Sequence, residues 1–316
     1  MRSTKSRVGY ESWYLKASHP TEPLGVWIRY TTHTKPGGDE RGSLWFTLFG
    51  PEPSAAKFTS GPESLSRGGG QFIRISDSVF AAGRVSGSVT GASWDLTFEH
   101  SEPEVRHLPR EWMYRLPMPR TKLVSPFPAA RFSGRVSFGA RTVQLEGWPG
   151  MVGHNWGSQH AERWIWMHGT SFGGRAQDTW LDVAIGQIKI GPWTTPWIAN
   201  GVLSLDGERL RVGGIEHIHA TRIDEYPDHA DFTLPGVGLT ISGSVRAPRE
   251  RFVGWAYADP DGSEHHTVNC SIAEMRIAVA RPDSGPTELA TLHGAAYELG
   301  MRESNHGMPI QPFLDG

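Results

Sequence analysis

From residue 164 onward, apolar and polar side chains alternate with the period of a strand. Trp164, Trp166 and His168 share one face, and Ile165 and Met167 the other. The run from Thr179 repeats the device, setting Trp180, Asp182, Ala184, Gly186 and Ile188 opposite Leu181, Val183 and Ile185. Comparable runs rich in aromatic and β-branched residues predict strands over 11–16, 25–32, 43–49, 72–76, 83–90, 93–99, 131–138 and 142–146. In the second half they predict strands over 164–170, 179–190, 197–205, 208–212, 215–222, 238–245, 251–258 and 265–280, with a closing element at 289–300. Turn chemistry punctuates them, as in Pro36-Gly37-Gly38-Asp39 and Asp206-Gly207. Two stretches break the pattern. Residues 102–128 are rich in proline and read as a long loop with a helical turn at 111–115, of the length that tends to cover a site. Residues 147–157 are glycine-rich and read as a tight turn.

No segment sustains a helical period, so the pattern predicts an all-β protein. The motif Gly83-Arg84-Val85-Ser86 recurs as Gly134-Arg135-Val136-Ser137, with a looser echo in Ser242-Gly243-Ser244-Val245. We read this as two related β domains, residues 1–150 and 151–316, with a boundary that could fall anywhere within 145–215.

Composition narrows the classes. The chain has 316 residues, 38 Gly, 23 Pro, 13 Trp and 13 Phe, enough aromatic surface to line a cavity as well as fill a core. A formal net charge of −2 gives no electrostatic footprint for nucleic acid or anionic membrane. A single cysteine, Cys270, excludes an internal disulfide and a dithiol site. No apolar run is long enough for a membrane span and no leader pattern appears, so a cytoplasmic location is expected.

Candidate chemistry gathers around one carboxylate. Asp182 stands among aromatic and small apolar neighbours, where burial would raise its pKa and keep it protonated as an acid. His154 could hold or relay that proton, and the indoles of Trp156 and Trp180 could shield a cation. The competing reading is a structural Asp–His or Asp–Trp hydrogen bond with the aromatics as core. Fourteen histidines invite a metal, but His154 with His160, His217 with His219, and His265 with His266 match no zinc spacing, and no phosphate loop appears. No metal and no cofactor are expected.

The run Gly153-His154-Asn155-Trp156-Gly157, the following Trp164-Ile165-Trp166, the opening Glu11-Ser12-Trp13-Tyr14 and the closing Ala295-Ala296-Tyr297-Glu298-Leu299-Gly300 resemble the two-domain lipocalin-like superfamily. That group holds the carotenoid 1,2-hydratases, the AttH-like proteins and, more distantly, the tocopherol cyclases. The resemblance implies two lipocalin-like barrels or half-barrels, with a hydrophobic cavity in at least one. It implies that His154 and Trp156 match a His-x-Trp pair, and Trp180 and Asp182 a Tyr-x-Asp pair, that protonate an isoprenoid double bond. Trp180 stands where the hydratases carry Tyr, keeping the aromatic wall and losing a hydroxyl. The expected function is a cofactor-independent hydratase, cyclase or isomerase acting on an isoprenoid- or polyketide-like molecule. Asp182 and His154 would be catalytic, and Trp156, Trp164, Trp166 and Trp180 would bind substrate. The alternative is a non-catalytic carrier of a hydrophobic small molecule; the oligomeric state is left open.

Overall fold

A computed structural model describes residues 8–175, 178–282 and 284–313. Strand accounts for 66% of it and helical turns for 4%, so the molecule is all-β. The first sheet uses β1 Gly9–Ser18, β2 Gly25–Thr34, β3 Glu40–Phe49, β4 Ser54–Ser60, β5 Leu65–Gly68, β6 Gln71–Ile75, β7 Ser78–Ala81, β8 Arg84–Val89, β9 Ala92–His100, β10 Val105–Arg106, β11 Thr121–Phe138 and β12 Arg141–Gly157. Its order is β4-β3-β2-β1-β12-β11-β9-β8-β7-β6-β5, with β10 added on β11, and it forms a half-barrel.

The second sheet uses β13 Arg163–Gly169, β14 Trp180–Gln187, β17 Ile198–Leu205, β18 Glu208–Gly213, β19 Arg222–Tyr226, β20 His229–Gly236, β21 Leu239–Arg246, β22 Val253–Ala258, β23 Glu264–Arg281 and β24 Ser284–Met301. A small separate hairpin, β15 Lys189–Ile190 with β16 Trp193–Thr194, follows β14. The main order, β18-β17-β14-β13-β24-β23-β21-β20, closes into an eight-stranded barrel where Val212 of β18 meets Gly236 of β20.

Burial patterns show how the sheets meet. On β9 every second residue is buried, because only one face of that strand has a core to cover. On β2 all ten residues are buried. Val26, Ile28 and Tyr30 fill the half-barrel, while Trp27 packs on Trp255 of the other sheet, ring centroids 6.2 Å apart. Inside the barrel Ile165, Met167, Leu181, Val183 and Ile185 form a packed core. Their alternating partners, Trp164, Trp166, Trp180 and Asp182, therefore point away from the barrel interior.

Several expectations are corrected. Residues 147–157 are not a turn but the second half of a 17-residue strand, because β12 is held by β1 on one side and β11 on the other. β11 likewise takes residues 121–128 out of the expected loop; the helical turn within it is real, at Glu111–Tyr114. Residues 215–217 form a 3₁₀ turn rather than the start of a strand. The Gly-Arg-Val-Ser echo lies on β8 and β11 of the same sheet, so it does not relate the two halves.

Candidate active site in the seam between the sheets

A cavity of about 410 Å³ opens in the seam, outside the barrel lumen where the resemblance leads one to look for it. The half-barrel contributes Tyr10, Tyr14, Trp27, Arg29 and Asn155; the barrel contributes Trp164, Trp166, Tyr257 and Glu298. Two further pieces complete the wall: the segment before β11, through His107, Leu108 and Met118, and the crossover between the sheets, through Gln159, His160 and Glu162. Exposed apolar side chains lie beside the rim, with Met118 itself on the wall, Leu116 two residues earlier, and Ile190 and Trp193 on the hairpin whose Lys189 lines the cavity.

Behind the wall sits Asp182, fully buried. Its Oδ1 accepts the Trp166 indole N–H at 3.1 Å, and its Oδ2 accepts the Ser125 hydroxyl at 2.5 Å. His107 Nε2 lies 3.3 Å from the same Oδ2. Burial pushes the Asp182 carboxyl up, but His107 and the Ser125 hydroxyl lower it, and the group is held below the usual carboxylate range. The expected raised pKa is thus reversed: the apolar environment is present, but so are partners that the sequence places far from Asp182.

Hydrogen bonding around His107 identifies where a proton is kept. Its Nδ1 lies 3.1 Å from the Asn200 carbonyl, which can only accept, so Nδ1 carries a hydrogen. Its Nε2 faces Asp182 Oδ2 and, at 3.2 Å, Ser125 Oγ, whose own hydrogen is already given to Asp182. Both neighbours of Nε2 are therefore acceptors, and a hydrogen on Nε2 would be shared between Ser125 Oγ and Asp182 Oδ2. His107 lines the cavity; Asp182 stands behind it.

His168, paired with Asp182 across β13 and β14, gives its Nε2–H to the Pro128 carbonyl at 2.9 Å. Burial and the nearby Lys16 push its pKa down to about 4, so it is neutral.

Of the residues singled out in the sequence, Trp164 and Trp166 line the cavity and Asp182 lies directly behind it. His154 is not brought to Asp182. It occupies the face of β12 opposite Asn155, bonded to Glu11 at 3.1 Å and stacked on Trp13 at 3.7 Å. Trp156 shares that face, its ring 4.6 Å from His154. Trp180 is fully buried and packs with Val105 and Val202 instead of reaching the cavity wall. Sequence reasoning missed His107, Ser125, Tyr14, Arg29 and Asn155. The only signal for the first two was the long segment 102–128, which was read as a cover.

No family model matches the chain. An uncharacterised protein of Mycobacterium tuberculosis, found in strains H37Rv and CDC 1551, is 25% identical over 306 residues, covering 92% of this chain and 86% of its own. Among solved structures, a protein provisionally named AttH from Nitrosomonas europaea superposes with a TM-score of 0.57 at 12% identity, covering 93% of both chains. Kievitone hydratase from Nectria haematococca superposes with a TM-score of 0.52 at 9% identity, covering 92% of this chain and 88% of its own. The chain shares the fold of these two structures. Among the described residues, no helix is long and apolar enough to cross a membrane.

Proposed function

We propose that this protein is a cofactor-independent acid–base enzyme that adds water to, or removes it from, a hydrophobic small molecule held in the seam. One observation carries the reading: a buried imidazole–carboxylate contact, His107 Nε2 to Asp182 Oδ2 at 3.3 Å, at the wall of a cavity that Tyr10, Tyr14, Trp164 and Trp166 also line. A carrier gains nothing from an ionised pair beside its ligand, since burying the pair costs free energy. An acid catalyst needs one, and a site closed to bulk water strengthens its field. The fold shared with a protein named as a hydratase supports water addition over the cyclase and isomerase alternatives.

In this reading His107 delivers the proton and Asp182 is its positioning counter-ion. Trp164 and Trp166 flank the reacting carbon, and an isoprenoid- or polyketide-like skeleton suits the apolar rim. His154 and Trp156, from their position, serve the half-barrel rather than the chemistry. The test is to incubate the protein in H₂¹⁸O with a panel of trisubstituted alkenes and the matching tertiary alcohols, reading ¹⁸O incorporation by mass spectrometry. Asp182→Asn should lower turnover by roughly a hundred- to ten-thousandfold while leaving ligand binding in place. Undiminished turnover in that variant would end the reading.

A further inference from the structure

A second carboxylate–imidazole pair reaches the same cavity through His160, and the mechanism above does not use it. His160 belongs to the crossover between the sheets, and Asp259 to the turn between β22 and β23. Asp259 is fully buried, and its Oδ1 accepts two bonds from His160 at 2.7 Å each, one from the backbone N–H and one from ring Nδ1–H. Its Oδ2 accepts the Ser263 hydroxyl at 3.2 Å and lies 3.7 Å from the Arg302 guanidinium. Tyr10 stacks on the His160 ring at 4.1 Å and Trp164 lies near-parallel to it at 5.4 Å, so the ring is packed by both. With Nδ1 committed to Asp259, the ring's only lone pair is on Nε2. That atom is buried, has no hydrogen-bond partner among the described residues, and belongs to a residue lining the cavity. This is the arrangement of a general base oriented by a carboxylate.

Resting on the acid–base reading above, we propose that His160 Nε2 is the cavity's second proton-transfer group, the base that activates the attacking water, with Asp259 as its positioning residue. During hydration the proton on His107 moves to one alkene carbon, the π pair forming the new C–H bond. The other carbon accepts a lone pair from water, forming the C–O bond, and the proton that water loses passes to His160 Nε2. The site ends with one proton fewer on His107 and one more on His160, and exchange with solvent restores both. Dehydration runs the same steps backwards. The substrate class follows: an apolar alkene whose substituted carbon can carry positive charge between Trp164 and Trp166, or the corresponding tertiary alcohol.

His265 offers a competing use. His160, Asp259 and His265 each bring one ligand atom within 4.8 Å of the others. Two features oppose a metal there. Nδ1 and Oδ1 only 2.7 Å apart would subtend about 80° at zinc with ordinary bond lengths of about 2.1 Å, far from tetrahedral. A bound cation would also lie beside the Arg302 guanidinium.

Diethyl pyrocarbonate, which acylates unprotonated imidazole, tests the proposal on the full chain, with modified sites read by peptide mass spectrometry. His160 should react measurably in the folded protein although its Nε2 is buried, 1-decanol filling the cavity should protect it, and Asp259→Asn should slow it several-fold in protein with an unchanged melting curve. In the ¹⁸O assay His160→Gln should cut kcat about a hundredfold or more while barely moving KM. If His160 resists the reagent in the folded protein, or does so until a chelator strips stoichiometric zinc, the proposal falls. If an alkene is hydrated at full rate by His160→Gln, the proposal falls and the acid–base function stands. If no alkene is hydrated but His160 shows the protected, Asp259-dependent reactivity, the activated base stands and water addition falls.

Discussion

Ser125 of the half-barrel donates its hydroxyl to Asp182 of the barrel at 2.5 Å, so the carboxylate behind the cavity is fixed by the opposite sheet. Ser125→Ala leaves Oδ2 with His107 alone. We expect a loss of about 1–3 kcal/mol in urea unfolding, the cost of an unsatisfied buried charged acceptor. The Asp182 carboxyl should titrate at higher pH, readable from its side-chain carbon resonance by NMR.

Lys16 is a second tie across the seam. It is fully buried, bonded through Nζ to the Gly294 carbonyl at 2.6 Å, and burial pushes its pKa down to about 7. Between that value and the ordinary 10.5 the unfolded chain binds a proton that the folded one does not. This group therefore makes stability rise with pH across that window. Lys16→Met should remove the slope, flattening the dependence of Tm on pH between about 7 and 10 relative to wild type.

Acid should act through two buried histidines. Burial is the first cause that holds both His168 and His265 near a pKa of about 4, against an ordinary 6.5. Both groups depress the folded pKa of a base, so their contribution is intact above 6.5 and is lost as pH falls toward 4. Each adds at most about 1.4 kcal/mol per pH unit. Urea midpoints should fall steeply in that interval, and His168→Gln should shallow the fall.

Gly300 lies beneath the indole of Trp164 on the neighbouring strand, and a Cβ there would stand 2.1 Å from the Trp164 ring. Gly300→Ala must tilt that ring into or away from the cavity. It should weaken binding of an apolar probe such as 1-decanol by about tenfold, while the far-UV spectrum stays that of a β protein.

Legibility followed the range of each physical cause. Strand alternation is local, so most elements, and the alternation of Trp164 with Trp166 and of Trp180 with Asp182 on one face of each strand, could be read directly. Residues 147–157 failed because glycine content was taken as turn chemistry. Gly150 and Gly153 are there for close approach instead, since a Cβ would stand 2.0 Å from the Lys16 carbonyl at one and 2.2 Å from the Tyr14 ring at the other. Losing that strand also hid its parity, which sends Asn155 to the cavity and His154 and Trp156 away from it. Asp182 was singled out, but its charge was misjudged, because His107 and Ser125 are separated from it by more than fifty positions in the chain. His160 was weighed only with His154 as a zinc ligand, because its true partner, Asp259, lies 99 residues away.

A guest in the seam would touch both sheets at once and act as mortar between them. Occupying it at a hundred times Kd would add about 2.7 kcal/mol to the docked state of the two halves together. In calorimetry, compounds that fill the cavity should sharpen and raise a single transition, whereas compounds caught on one half alone should split it. Melting profiles of this kind would sort a metabolite library without any knowledge of the reaction.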